Sequence, residues 1–215
     1  MHEFLLVAGI HWLAVMSPGP DFAMVIRNSL VYSRRTGILA AVGLALGILL
    51  HVTYSLLGIG LLISQSVVLF NAIKLLGAAY LIYIGIKSLL ARKESKAEIT
   101  KELKDEFTET PQIKDLPTWQ AIRMGFLTNA LNPKATLFFL ALFTQVINPQ
   151  TAAGIKMLYG TEMSVATFVW FSLVAMLLTH RKINAAFAGI KHLVERGFGV
   201  VLIALGIKVA LGARK

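Results

Sequence analysis

Long apolar stretches recur along the chain, separated by shorter charged or polar connections. A bilayer's hydrocarbon core of ~30 Å takes about 20 apolar residues in helix. Six stretches meet or approach that length, at residues 4–26, 37–63, 67–86, 124–147, 157–179 and 197–211. The pattern predicts an all-α membrane protein with six transmembrane helices. The sixth stretch is short, and a start nearer Leu193, with Arg196 and Lys208 snorkelling to the interface, suits it as well. Within these stretches only Asp21, Lys74, Lys134, Glu162 and Lys208 carry charge. Residues 4–26 do not read as a cleaved leader: Arg27 is the first positive residue and no small-residue cleavage pattern follows. A retained helix is expected.

Composition agrees with the pattern. Of 215 residues, 56% are hydrophobic and 15% charged, against about 25% charged in an ordinary soluble domain. Mean hydropathy is +0.70. Cysteine is absent, which removes disulfides, thiolate metal sites and a cysteine nucleophile.

The net charge of +10 would suggest nucleic acid in a soluble protein. Its placement argues otherwise. Lys and Arg crowd the first, third and fifth connections, at Arg27, Arg34 and Arg35, then across 87–123, then at Arg181, Lys182, Lys191 and Arg196. The second connection has none and the fourth only Lys156. Such alternation places the odd connections in the cytoplasm and both termini outside. The charge is a topology signal, and no nucleic-acid partner is expected. The polar third connection carries Ile99, Leu103 and Phe107 at helical spacing, and reads as a solvated tether.

Two segments resemble one another. Residues 81–93 and 202–215 share Leu-Ile-x-x-Gly-Ile-Lys and end in Ala-Arg-Lys, and Ser17-Pro18-Gly19 corresponds to Asn132-Pro133-Lys134 at nearly the same offset. The chain therefore divides into a three-helix repeat at 1–91, a cytoplasmic linker at 92–117 and a second repeat at 118–215. Three spans is an odd number, so the second repeat enters the membrane inverted. Inverted repeats with helices interrupted at matched positions mark secondary transporters, whose sites lie at the repeat interface.

The interruptions are the candidate site. In the first helix Pro18 and Pro20 lack N–H groups, which takes the helical partners from the carbonyls of Ala14 and Met16. Gly19 between them lets backbone approach a ligand. In the fourth helix Pro133 does the same to Asn129. Irregular backbone at membrane depth persists only where protein or a water-filled cavity satisfies it. Lys134 lies roughly 15 Å from its span's cytoplasmic end and Asp21 nearer 8 Å from its own. An unpaired charge at the bilayer centre costs about 2.5 kcal/mol or more, which an Asp21–Lys134 pair would offset. Ser17, Pro18, Gly19, Pro20, Asp21, Asn129, Asn132, Pro133 and Lys134 are thus the expected substrate-binding residues. Asp21, Glu162 and His51 are the expected proton-coupling groups, His51 because imidazole titrates in a useful range. Gly43 and Gly47 form a small-residue face for close helix packing, within the chain or in a homodimer. Tyr80 and Tyr83 are weaker cavity candidates.

At Ser17-Pro-Gly-Pro-Asp21, Asn132-Pro-Lys134, the Gly43/Gly47 helix and Gly77-Ala-Ala-Tyr-Leu81 with Gly85, the chain resembles the lysine-exporter, or LysE/RhtB, family of small bacterial amino-acid efflux transporters. The likeness covers nearly the whole chain. It implies export of amino acids from the cytoplasm across the bacterial inner membrane, driven by proton antiport. Ser17-Pro-Gly-Pro-Asp-Phe22 looks most like the threonine and homoserine exporters. No cofactor is implied. Two other readings fit less well. A metal or inorganic-cation exporter wants clustered oxygen ligands, whereas only Asp21 and Glu162 are intramembrane acids. An intramembrane enzyme lacks its motifs, since neither HExxH nor GxSxG occurs.

Overall fold

The protein, seen in a computed structural model, is described at residues 2–65, 67–90, 115–148, 150–177 and 181–212. The described residues form helices and no strands. In chain order they are α1 (His2–Met16), α2 (Pro20–Val31), α3 (Arg34–Gln65), α4 (Val67–Leu89), α5 (Thr118–Ala130), α6 (Pro133–Gln145), α7 (Ala153–Leu177) and α8 (Arg181–Gly212). The stripe at Ile99, Leu103 and Phe107 lies outside the described residues, as do the Ala-Arg-Lys ends of the two similar segments.

Arg34–Leu57 and Ala153–Leu177 are each long and apolar enough to cross a bilayer, and the pair Thr118–Ala130 and Pro133–Thr144, bent by 59°, makes a third if taken as one broken span. Their outward faces are apolar: Leu46, Leu49, Leu50 and Leu57 on α3, and Leu158, Val165, Val169 and Leu173 on α7, are all exposed. In water such stripes would be an aggregation hazard; against lipid they cost nothing. This is an all-α membrane protein.

Both expected interruptions are present. The first apolar stretch splits into α1 and α2 around Ser17–Gly19, and the fourth splits into α5 and α6 around Leu131 and Asn132. Pro20 and Pro133 each open the second half-helix at a first-turn position, where a missing N–H costs no helical bond. One boundary differs from the hydropathy reading. Residues 181–196, taken as the fifth connection, are the first half of α8, which runs unbroken to Gly212. Hydropathy reports the apolar length of a helix, and a charged helical extension is invisible to it.

Helices from the two ends of the chain interleave. α3 packs on α5 and α7, and α4 on α8. Glycines set the closest approaches. A Cβ on Gly43 would strike the Ile122 carbonyl, and one on Gly125 the Ala40 carbonyl, so α3 and α5 meet backbone to backbone. Gly85 and Gly199 do the same for α4 and α8. The Gly43/Gly47 face is therefore consumed inside the chain and is not open to a second subunit. Two apolar clusters flank the breaks, one around Phe139, Leu142, Met163, Phe198 and Leu202, the other around Phe22, Val25, Leu44 and Phe171.

Candidate functional site

Each break leaves backbone groups to satisfy, and the way they are satisfied builds the site. At the second break, Asn132 is the N-cap of α6: its side-chain oxygen accepts from the Lys134 N–H at 3.0 Å. The Asn129 carbonyl, deprived of its α-helical partner by Pro133, accepts from the Asn132 N–H at 2.9 Å. It also meets His51 Nε2, on α3, at 3.0 Å. His51 Nδ1 pairs with the Tyr54 hydroxyl, and its ring stacks on Phe139 at 5.3 Å and 7°. At the first break, the Ala14 carbonyl expected to stand open instead accepts from the Ser17 N–H at 3.2 Å. A tighter final turn of α1 has replaced the bond that Pro18 removed.

The side chains of the two breaks then cross over. Asn129 Nδ2 donates to Asp21 Oδ2 at 2.7 Å and Asn132 Nδ2 to Asp21 Oδ1 at 3.3 Å. In return Lys134 Nζ donates to Ser17 Oγ at 3.0 Å and to the Pro18 carbonyl at 3.4 Å. The ammonium also stands 4.6 Å from the centroid of the Phe198 ring, a cation–π distance. Asp21 and Lys134 do not form an ion pair, since no nitrogen–oxygen approach between them falls within 4.0 Å. Each charge is held by neutral partners from the opposite break, which leaves both with capacity for a ligand.

One cavity receives both. Ser17, Gly19, Pro20, Asp21, Asn129, Asn132 and Lys134 line it; Pro18 adds its carbonyl through Lys134, and Pro133 opens the helix that carries Lys134. Cavity and mouth together span about 540 Å³ of empty space, the open solvent at the mouth included. The remaining wall is largely aromatic and aliphatic, with Phe22, Ile48, Phe138, Phe139, Phe171 and Phe198. Other expected residues fall elsewhere. His51 acts from behind, through Asn129. Glu162 is not on the cavity wall, and one of its carboxylate oxygens is buried without a hydrogen-bond partner. Tyr80 and Tyr83 contact each other, rings 6.3 Å apart, and do not line the cavity. Among the described residues no group of three or more His, Asp and Glu is placed to hold a metal ion.

Sequence reasoning missed His11 and Thr167, which also line the cavity. A signal did exist for His11, since it precedes Ala14 and Val15 at helical spacing on the face leading into the first break. Thr167, on an apolar span, gives none.

A family match over nearly the whole chain decides the kinship: the model of the LysE type translocator matches residues 12–213. The chain belongs to the LysE type translocator family. Among individual relatives, it is 26% identical over 211 residues to the threonine efflux protein of Salmonella typhimurium, covering 98% of each chain. It is 32% identical over 167 residues to the leucine efflux protein of Salmonella choleraesuis, covering 75% of this chain and 72% of that one. It is 28% identical over 212 residues to an uncharacterized membrane protein of Bacillus subtilis, covering 98% of this chain and all of the relative. No solved structure matches.

Proposed function

We propose that this LysE-type translocator exports neutral amino acids, of the threonine and homoserine kind or similar, from the bacterial cytoplasm by proton antiport. The observation that carries this reading is the pair of opposite charges on one cavity, each held only by neutral groups. A zwitterion has the matching charges. Its ammonium meets Asp21, its carboxylate meets Lys134, and Ser17, Asn129 and Asn132 supply neighbouring hydrogen bonds. The cavity's own pair sums to zero, so a substrate with a third charge finds no counter-charge on the wall. The family and the threonine and leucine efflux relatives support the same class.

Transport in this reading is alternating access about the two breaks, in a six-span body of two inverted repeats with its odd connections in the cytoplasm. Asp21 takes the coupling proton. A neutral carboxyl no longer holds an ammonium, so protonation from outside releases the substrate there. His51 and Glu162 are the further proton-coupling groups, His51 through the Asn129 that it holds. Each charge moved through the membrane field is worth about 2.3 kcal/mol per 100 mV.

The test is transport by the purified protein in liposomes with an imposed pH gradient. Labelled threonine, homoserine, leucine and lysine are followed with the gradient present and collapsed. Gradient-dependent movement of the neutral amino acids, and not of lysine, is the expected result. Proton-coupled export at the full rate by Asp21→Asn would remove Asp21 from the role given to it.

A further inference from the structure

Away from the breaks, the cavity wall is apolar except at His11 on α1 and Thr167 on α7. Both side chains are buried, His11 at 2% and Thr167 at 1% exposure. His11 Nε2 and Thr167 Oγ1 lie 3.4 Å apart. The other imidazole nitrogen, Nδ1, is buried and has no partner. The ring is held by Phe139, whose centroid is 6.2 Å away.

Buried polar atoms in proteins are nearly always paired, so an idle nitrogen on a residue that lines the cavity reads as a ligand position. Its chemistry follows from counting protons. A neutral imidazole offers one donor and one acceptor. When Nε2 accepts from the Thr167 hydroxyl, Nδ1 is an idle N–H; when Nε2 donates, Nδ1 is an idle lone pair. A protonated ring leaves an idle N–H again. A hydroxyl both gives and accepts, and so satisfies the nitrogen in every state. A methyl group satisfies it in none, an ammonium only as donor, and a carboxylate only as acceptor.

We infer that His11 and Thr167 are the specificity-determining pair of the cavity, reading the substrate's side chain and favouring a hydroxyl over its aliphatic isostere. The inference rests on the amino-acid reading given above. With the α-ammonium and α-carboxylate engaged by Asp21 and Lys134 at the breaks, the substrate's side chain is the part left to meet the rest of the wall. Phenylalanine rings bound that space and limit its size. A site that hydrogen-bonds a substrate hydroxyl rejects the analogue lacking it far better than an apolar pocket separates similar shapes, because the site's own polar groups are otherwise stranded.

Threonine and valine are the natural probes, since valine replaces the hydroxyl by a methyl group at nearly the same volume. In liposomes under a pH gradient the wild-type protein should move threonine at least about tenfold faster than valine. Thr167→Val and His11→Leu should bring the two rates within about threefold of each other, and Thr167→Ser, which keeps the hydroxyl, should preserve the wild-type ratio. Where a variant is silent in transport, the ratio of threonine to valine dissociation constants for the protein in detergent answers the same question. A wild-type protein that transports amino acids without preferring threonine overturns the inference, as does a preference unchanged in both Thr167→Val and His11→Leu. A wild-type protein that moves none of the amino acids overturns the amino-acid reading itself and this inference with it.

Discussion

Asn129 and Asp21 are separated by 108 residues, yet the carboxamide of one donates to the carboxylate of the other across 2.7 Å. That bond joins the two helix breaks into one site, and its partner from Asn132 is longer, at 3.3 Å. A hydrogen bond to a charged group contributes about 1.5–3 kcal/mol. Asn129→Ala should therefore lower both the melting temperature in detergent and the rate of export, the latter by about tenfold or more. Asn132→Ser keeps an N-cap oxygen for α6 and gives up only the longer bond, so its effect should be smaller. Equal losses from the two substitutions would deny Asn129 the leading part.

Gly47 gives a second handle on the same bond. A Cβ at this position would stand 2.5 Å from Asn129 Oδ1 and 2.9 Å from its Cβ, closer than real carbon contacts allow. Gly47→Ala should displace Asn129 and impair export while the fold survives. Gly43→Ala should do worse, because the added carbon meets the backbone of α5 rather than a movable side chain. At Gly77 nothing lies within 4 Å. Gly77→Ala should be neutral or stabilise the helix by up to about 1 kcal/mol. Thermal unfolding of the three variants beside their transport rates would check the order.

The breaks were legible in the sequence because proline's missing N–H is a local fact, readable without knowing the fold. For the same reason the apolar stretches at 37–63 and 157–179 located the helices found at 34–65 and 153–177. The arrangement around the breaks was not legible. An Asp21–Lys134 pair was one way to offset the buried charges, and nothing local shows that each finds neutral partners on the other break instead. The His51–Asn129 contact links residues 78 apart and depends on α3 passing α5 at the closeness Gly43 and Gly125 permit. His11 and Thr167 sit in apolar helices where a single polar residue is usually a packing detail. Only the crossing of α1 and α7 makes them a pair. At 181–196 hydropathy marked where the apolar stretch begins and not where the helix begins.

Lys134 holds its ammonium with two neutral oxygens and an aromatic face, at 3.0 Å, 3.4 Å and 4.6 Å. Its charge, rather than its length, is the feature a substrate carboxylate would use. Lys134→Met keeps an unbranched side chain and removes that charge, so amino-acid binding should fall below detection while the purified protein stays folded. Phe198→Leu removes only the ring, worth about 0.5–2 kcal/mol to a cation above it, and should weaken binding by a few-fold to about thirtyfold. Isothermal titration in detergent separates the two. A Lys134→Met protein that bound its substrate normally would reduce the lysine to a structural role.

His51 can be tested for two separate duties. Its Nε2 serves the Asn129 carbonyl that Pro133 leaves without a helical partner, and its Nδ1 serves Tyr54, whose hydroxyl also stands 3.5 Å from the Thr136 carbonyl of α6. The imidazole thus ties both halves of the broken helix to α3. The carbonyl keeps its Asn132 N–H and loses one of two donors, a bond of about 0.5–1.5 kcal/mol, so His51→Ala should lower stability and disturb the Asn129–Asp21 bond. His51→Gln supplies an N–H in place of the ring but has no group that gains a proton near neutral pH. It should hold the melting temperature close to wild type and still exchange labelled for unlabelled threonine across the liposome, a reaction that needs no net proton movement. Accumulation driven by the pH gradient should drop to the level seen with the gradient collapsed. If His51→Gln kept gradient-driven accumulation intact, the histidine would be a brace for the break and Asp21 would carry the coupling without it.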